Sequence, residues 1–170
     1  MSYVGGRTIR AISVAPDGWA AYVISTDWDG AQVIPVALPA GVIGKHIPIA
    51  KGAQDIAIPP DGSMAYVAIA PERTIVPIDL PAGTVGIPIE VGLSPSEIAI
   101  TGDGGTVVVI DCSDSPAINT VNLRSGVARE PMKLDNRPVA VAISPNGRKA
   151  FLANLNCTIT PLGITGPSDP

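Results

Sequence analysis

Apolar and polar positions fall along this chain in short bursts. Segments such as Ile56-Ala57-Ile58, Tyr66-Val67-Ala68, Ile98-Ala99-Ile100 and Val108-Val109-Ile110 are rich in β-branched residues. Proline, glycine, aspartate and asparagine clusters bound them, which is the signature of short strands. No stretch sustains the i, i+3, i+4, i+7 spacing of an amphipathic helix between caps, so an all-β chain is expected. Within the best-defined bursts, apolar or small residues occupy consecutive positions. A sheet with one wet face would alternate, so both faces of these strands are expected to be covered.

The bursts recur in phase. A turn repeats as Pro16-Asp17-Gly18, Pro60-Asp61-Gly62, Gly102-Asp103-Gly104 and Pro145-Asn146-Gly147, about every 43 residues. Before each turn come Ile12, Ile56, Ile98 and Val141, then Val14, Ile58, Ile100 and Ile143, with Ser13, Ala57, Ala99 and Ala142 between them. After each turn come Tyr22, Tyr66, Val108 and Phe151. The repeats run over residues 9–50, 51–92, 93–136 and 137–170, with residues 1–5 available to complete the last one.

A unit of this length holds roughly four short strands. The first pair flanks the Pro-Asp-Gly turn, where proline suits position i+1 and glycine i+3 of a type I turn. The third strand covers Val33–Leu38, Thr74–Leu80, Ile118–Leu123 and Thr158–Ile164, each leaving through a glycine turn at Gly41, Gly83, Gly126 or Gly166. Pro48, Pro88 and Pro131 mark a fourth strand, and a residue without an N–H belongs on an outer edge. Pro35, Pro77 and Pro161 fall in the third strand, which should pair on both sides. Their nitrogens are therefore expected to avoid a ladder bond or to sit at a bulge. Four-stranded antiparallel wedges whose faces are both covered form the blades of a β-propeller.

Several segments resemble one family by spelling. Ile143-Ser144-Pro145-Asn146-Gly147 with Phe151-Leu152-Ala153-Asn154, and Ala65-Tyr66-Val67 with Val76-Pro77-Ile78-Asp79-Leu80, are similar to the YVTN-type β-propeller repeat. The resemblance covers nearly the whole chain, although no copy reads Tyr-Val-Thr-Asn in full and the third has lost its aromatic. It implies a prokaryotic, often extracytoplasmic propeller, commonly of seven blades. Its motifs specify fold and bring no catalytic residue.

Four repeats leave the ring open to interpretation. A closed four-blade ring, two chains joined as an eight-blade ring, and a part of a longer propeller all fit. Ser2–Val4 could supply the last blade's outer strand. The paired ring is favoured, because four narrow blades need steep packing and an open half would expose a large apolar face. Composition points the same way. Hydrophobic residues make up 46% and charged residues 15% of 170, with a mean hydropathy of +0.35. A homo-oligomer, specifically a dimer, or another protein partner is expected. No apolar run reaches the ~18 residues of a membrane span. The N-terminus lacks a signal core, so the chain reads as cytoplasmic as it stands, and as extracytoplasmic if a signal segment was removed. A net charge of −4 without a Lys/Arg cluster argues against nucleic acid.

Chemistry is sparse. His46 is the sole histidine and enters an outer strand, so neither a Ser-His-Asp triad nor a multi-histidine zinc site is expected. Cys112 and Cys157, in neighbouring repeats, are read as free thiols, with a disulfide across adjacent blades as the alternative. Asp27-Trp28-Asp29-Gly30 lacks the further acids of a calcium loop, and Gly102–Gly105 lacks the Lys-Ser/Thr of a phosphate cradle. No cofactor and no metal site follows.

What remains is one rim, where loops from fourth to first strands meet loops from second to third strands. Arg7, Gln54, Asp55, Glu97 and Arg137 belong to the first set. Asp27, Trp28, Asp29, Glu72, Arg73, Asp111, Asp114, Asn154 and Asn156 belong to the second. These are the least repetitive positions, and loops carry binding where a scaffold repeats. The ligand-binding set expected is Trp28, Asp27, Asp29, Asp55, Arg73, Glu97, Asp111, Asp114, Arg137 and Asn154, with Trp28 as anchor. The function expected is a non-catalytic scaffold that binds a protein or small ligand. The alternatives are a lactonase- or lyase-like propeller enzyme using rim carboxylates and a divalent metal, and a purely structural part of an oligomeric propeller.

Overall fold

The computed structural model describes residues 7–164. They contain no helix, and hence none long and apolar enough to cross a membrane. The strands form four antiparallel sheets in chain order.

The first sheet contains β1 (Thr8–Val14), β2 (Ala20–Thr26), β3 (Ala31–Ala37), β4 (Val42–Ile43) and β5 (Ile47–Ile49). The second contains β6 (Ala53–Ala57), β7 (Met64–Ile69), β8 (Thr74–Asp79), β9 (Thr84–Val85) and β10 (Ile89–Glu90). The third contains β11 (Glu97–Ile100), β12 (Thr106–Asp111), β13 (Ala117–Asn122), β14 (Val127–Ala128) and β15 (Met132–Lys133). The last contains β16 (Pro138–Ile143), β17 (Lys149–Asn154) and β18 (Ile159–Gly163). The innermost strands pack side by side, β1 on β6, β6 on β11 and β11 on β16. The architecture is that of successive β-propeller blades.

The repeated turn builds itself from local chemistry. The N–H groups of Gly18, Gly62, Gly104 and Gly147 donate to the carbonyls of Ala15, Pro59, Thr101 and Ser144 at 2.8–3.0 Å. All four glycines have φ between 68° and 75°, the left-handed region that costs a side chain strain. The side chain before each glycine accepts a backbone N–H two residues on: Asp17 from Trp19, Asp61 from Ser63, Asp103 from Gly105, Asn146 from Arg148. Asx geometry explains why this position alternates only between Asp and Asn.

The fourth strand forms at Ile47–Ile49, the segment expected around Pro48, but it is not alone on the outer edge. A short piece, β4, precedes β5 in the first sheet, and both pair with β3, leaving an interruption between them. Pro35 faces the break. Its carbonyl accepts from the N–H of Gly44 at 2.8 Å, and its nitrogen points the same way, into the interruption, where no ladder bond is lost. Pro77 and Gly86 repeat the arrangement at 2.8 Å. A Cβ on Gly44 would lie 3.3 Å from the Pro35 ring, so the glycine lets the outer chain close over the proline.

Tyr22, Tyr66 and Phe151 each stand directly opposite a small residue on one side and a proline on the other. The rows are Ser13–Tyr22–Pro35, Ala57–Tyr66–Pro77 and Ala142–Phe151–Pro161. Residues paired this way share a face, so each aromatic lies between partners that leave it room. In the third blade the row is Ala99–Val108–Thr120, where aromatic and proline are missing together.

Three apolar layers lie between the four sheets. Ile24, Val33 and Ile47 meet Ile56, Val67 and Ile78 across the first joint. Tyr66, Ala68 and Ile75 meet Ile98, Val107 and Val109 across the second. Val108, Ile110 and Ile118 meet Ala150 and Leu152 across the third. Among the described residues no apolar layer joins the first and last sheets, so the closed four-blade ring, one of the expected arrangements, is not formed there. Ile12 on the first sheet and Ile159 on the last are both exposed, although their counterparts in the inner blades are buried. The blades form an open arc. The closing strand proposed for Ser2–Val4 and the glycine turn at Gly166 lie outside the described residues.

Candidate functional site on the loop rim

The two loop sets meet on one rim and are tied to each other. Arg7, entering β1, pairs with Asp27, leaving β2, at 2.7 Å. The Lys51 ammonium donates to the Trp28 carbonyl at 2.5 Å, linking the second blade's entry to the first blade's loop. The N–H of Ser94 donates to the Asp111 carboxylate at 3.1 Å, and the Ser94 hydroxyl to the Ala70 carbonyl at 3.3 Å. Arg137 reaches Asp114 at 3.5 Å, and the Asn156 amide donates to Asn136 at 2.8 Å.

Asp27 closes its own loop by accepting from the N–H groups of Asp29 and Gly30, both at 2.9 Å. Partial desolvation works against its charge. Those N–H groups and the Arg7 and Lys51 cations outweigh it and hold the carboxyl below its ordinary range. The result is a tight turn that leaves Trp28, between the two aspartates, 95% exposed. Asp29, Glu72 and Arg73 are also exposed, the last with φ 56° at the turn into β8.

Four expected ligand contacts are engaged inside the fold. Asn154 is buried and donates to the Thr158 and Thr160 hydroxyls at 3.0 and 2.8 Å. Asp111 is buried and also accepts from the N–H of Ser113 at 2.8 Å. Asp55 accepts from its neighbour Ile56 at 2.8 Å and, across the joint, from the N–H of Ile98 at 2.9 Å. Glu97 holds the same place one blade on and accepts from the N–H of Val141. Asp55 and Glu97 thus act as staples between neighbouring inner strands. Ala11 and Ala140, at the corresponding positions in the outer blades, cannot.

Burial raises the pKa of Asp55, and burial together with the charge of Asp55 raises that of Glu97. An acid raised in the fold contributes stability below its unfolded value and loses it as pH rises through its folded value. Asp27 and Asp103, whose carboxyls are lowered, contribute above their unfolded values and lose it as pH falls through their folded ones. Thermal melts should therefore peak in mildly acidic buffer, with a higher midpoint at about pH 5 than at about pH 7.5 and a fall below about pH 3. A midpoint that climbs steadily to neutrality would contradict this assignment.

The carboxylates do not converge. Among the described residues, no group of three or more His, Cys, Asp or Glu side chains is placed to hold a metal ion. His46 is exposed between β4 and β5, and Cys112 and Cys157 are both free thiols. Sequence reasoning overlooked Lys51 and Arg10. Lys51 stands ten residues before its turn aspartate, as Arg7 does before its own, and that shared offset was the available signal. The Arg10 guanidinium donates to the Gln54 side chain across the first joint.

No family model matches the chain, and no curated protein does. Solved structures match over nearly its full length. Hydrazine synthase from Kuenenia stuttgartiensis superposes with a TM-score of 0.79 at 22% identity, over 95% of this chain and 49% of that one. A functionally unknown protein from Desulfotomaculum acetoxidans gives 0.74 at 15% identity, over 93% and 55%. A candidate 6-phosphogluconolactonase from Bacteroides uniformis gives 0.75 at 17% identity, over 94% and 51%. The chain spans about half the length of the structures it matches, and the likeness is one of fold: a propeller-type array of blades.

Proposed function

We propose that this chain is a YVTN-like propeller scaffold that uses its loop rim to bind a protein or small ligand and carries no catalytic centre of its own. The observation behind this reading is how the rim acids are spent. Asp55, Glu97 and Asp111 accept backbone N–H groups, and Asp27 and Asp114 are paired with arginines. Trp28, by contrast, offers a full indole to solvent on a loop held by Asp27 and Lys51. Exposed aromatics on rigid loops are typical binding anchors.

A random-peptide display library panned on the whole chain tests this. The peptides recovered should lose at least tenfold in affinity against Trp28→Ala, with an unchanged melting midpoint. Peptides that bind both proteins equally would refute the rim assignment. The enzyme reading is tested separately with Ca²⁺, Mg²⁺, Mn²⁺ or Zn²⁺ and glucono-δ-lactone. The scaffold predicts no cation-dependent thermal shift and no hydrolysis above background. A shift of several degrees with turnover that Asp55→Asn removes would replace it.

A further inference from the structure

The inner blades show what each sheet face requires. The face toward the next blade carries Val33, Ile75, Ile118 and Ile159 at corresponding positions, each paired with the seventh residue after its turn centre. Val33, Ile75 and Ile118 are buried under the following sheet, Ile75 completely, whereas Ile159 is 72% exposed. Phe151, exposed beside it, corresponds to buried Tyr66. The face toward the preceding blade carries Ile12, Ile56, Ile98 and Val141. Ile56 retains 4% exposure beneath its neighbour, while Ile12 retains 64%. Around Ile12 lies an open apolar groove lined by Ile9, Val23, Ile34, Val36 and Ile43.

One end of the arc therefore presents an uncovered forward face, and the other an uncovered backward face. These two kinds of surface are the ones that meet at all three internal joints, so the chain already contains three examples of the contact that would cover both. We propose that the occupant is a second copy of this chain. Its first blade packs on the last blade of the other, and its last blade on the first, giving two equivalent head-to-tail joints about a two-fold axis. Such a ring of two copies requires eight blades that advance by about 45° each. The joints are apolar and extend a blade-packing mode already present, as obligate interfaces do.

Light scattering on the whole chain at about 10 µM should give twice the 17.3 kDa of one chain. Ile12→Asp and Ile159→Asp should each reduce the mass to that of one chain while keeping a β-type circular dichroism spectrum. Ile87→Asp, at an exposed position beside the outer strand, should leave the pair intact. Three results would overturn the proposal: a wild-type mass of one chain, a mass that climbs without limit as concentration rises, or a pair that survives both face substitutions. The wild-type mass alone decides the matter if either variant fails to fold.

Discussion

Ile110→Ala should unfold about 2–5 kcal/mol more readily than the wild type, while Ile87→Ala should change stability by less than about 0.5 kcal/mol. The chemical change is the same, and the environments are opposite. Ile110 in β12 is fully buried and packs in one layer with Val108, Ile118, Ala150 and Leu152. Removing three carbons there leaves a void that the joint cannot close. The spacing between the third and fourth sheets is held by the other side chains of the layer, and each sheet is stiffened by its own ladders. Ile87 is exposed in the gap between β9 and β10. For a chain of this size the loss corresponds to a midpoint drop of about 5–15 °C. Differential scanning calorimetry of both variants is the measurement, and similar drops for the two would show that the third joint is not packed as described. Repeat arrays unfold by neighbour coupling, so Ile110→Ala should also broaden the transition by loosening the last blade.

Asp55→Ala should cost about 2–4 kcal/mol, because it strands two part-buried N–H groups, those of Ile56 and Ile98, at about 1–3 kcal/mol each, partly offset by removing a half-desolvated charge. Asp55→Asn keeps one acceptor oxygen and should lose about half as much. The diagnostic signal is local. Amide exchange at Ile98 should accelerate in both variants, since that bond crosses from the second blade to the third. Unchanged protection at Ile98 with a normal midpoint would remove the staple from the account and return Asp55 to the list of available rim acids. Glu97→Gln supplies an independent check at the next joint, with the readout at Val141.

The number and kind of blades were legible in the residues. Four phased Asp/Asn-Gly turns, β-branched strands without alternation and prolines at outer positions left few alternatives, because each reflects a local constraint: left-handed glycine, a missing donor, a face covered on both sides. The broken outer strand was less legible. Pro35 announced an irregularity, but whether the third or the fourth strand would yield depended on Gly44, which seats the outer chain against the proline ring.

The site divides the same way. Trp28 and Asp27 lie in a non-repeating loop and could be picked out from the chain alone. That Asp55, Glu97, Asp111 and Asn154 serve the fold could not, since a carboxylate reads the same whether it faces solvent or the backbone of a strand 43 residues away. Short-range patterning determined the turns, the strands and their repetition, because those depend on neighbours along the chain. Tertiary structure alone decided that the arc stays open, which faces remain uncovered and which acids are already engaged, because those outcomes depend on the angle between sheets and on partners that sequence separation conceals.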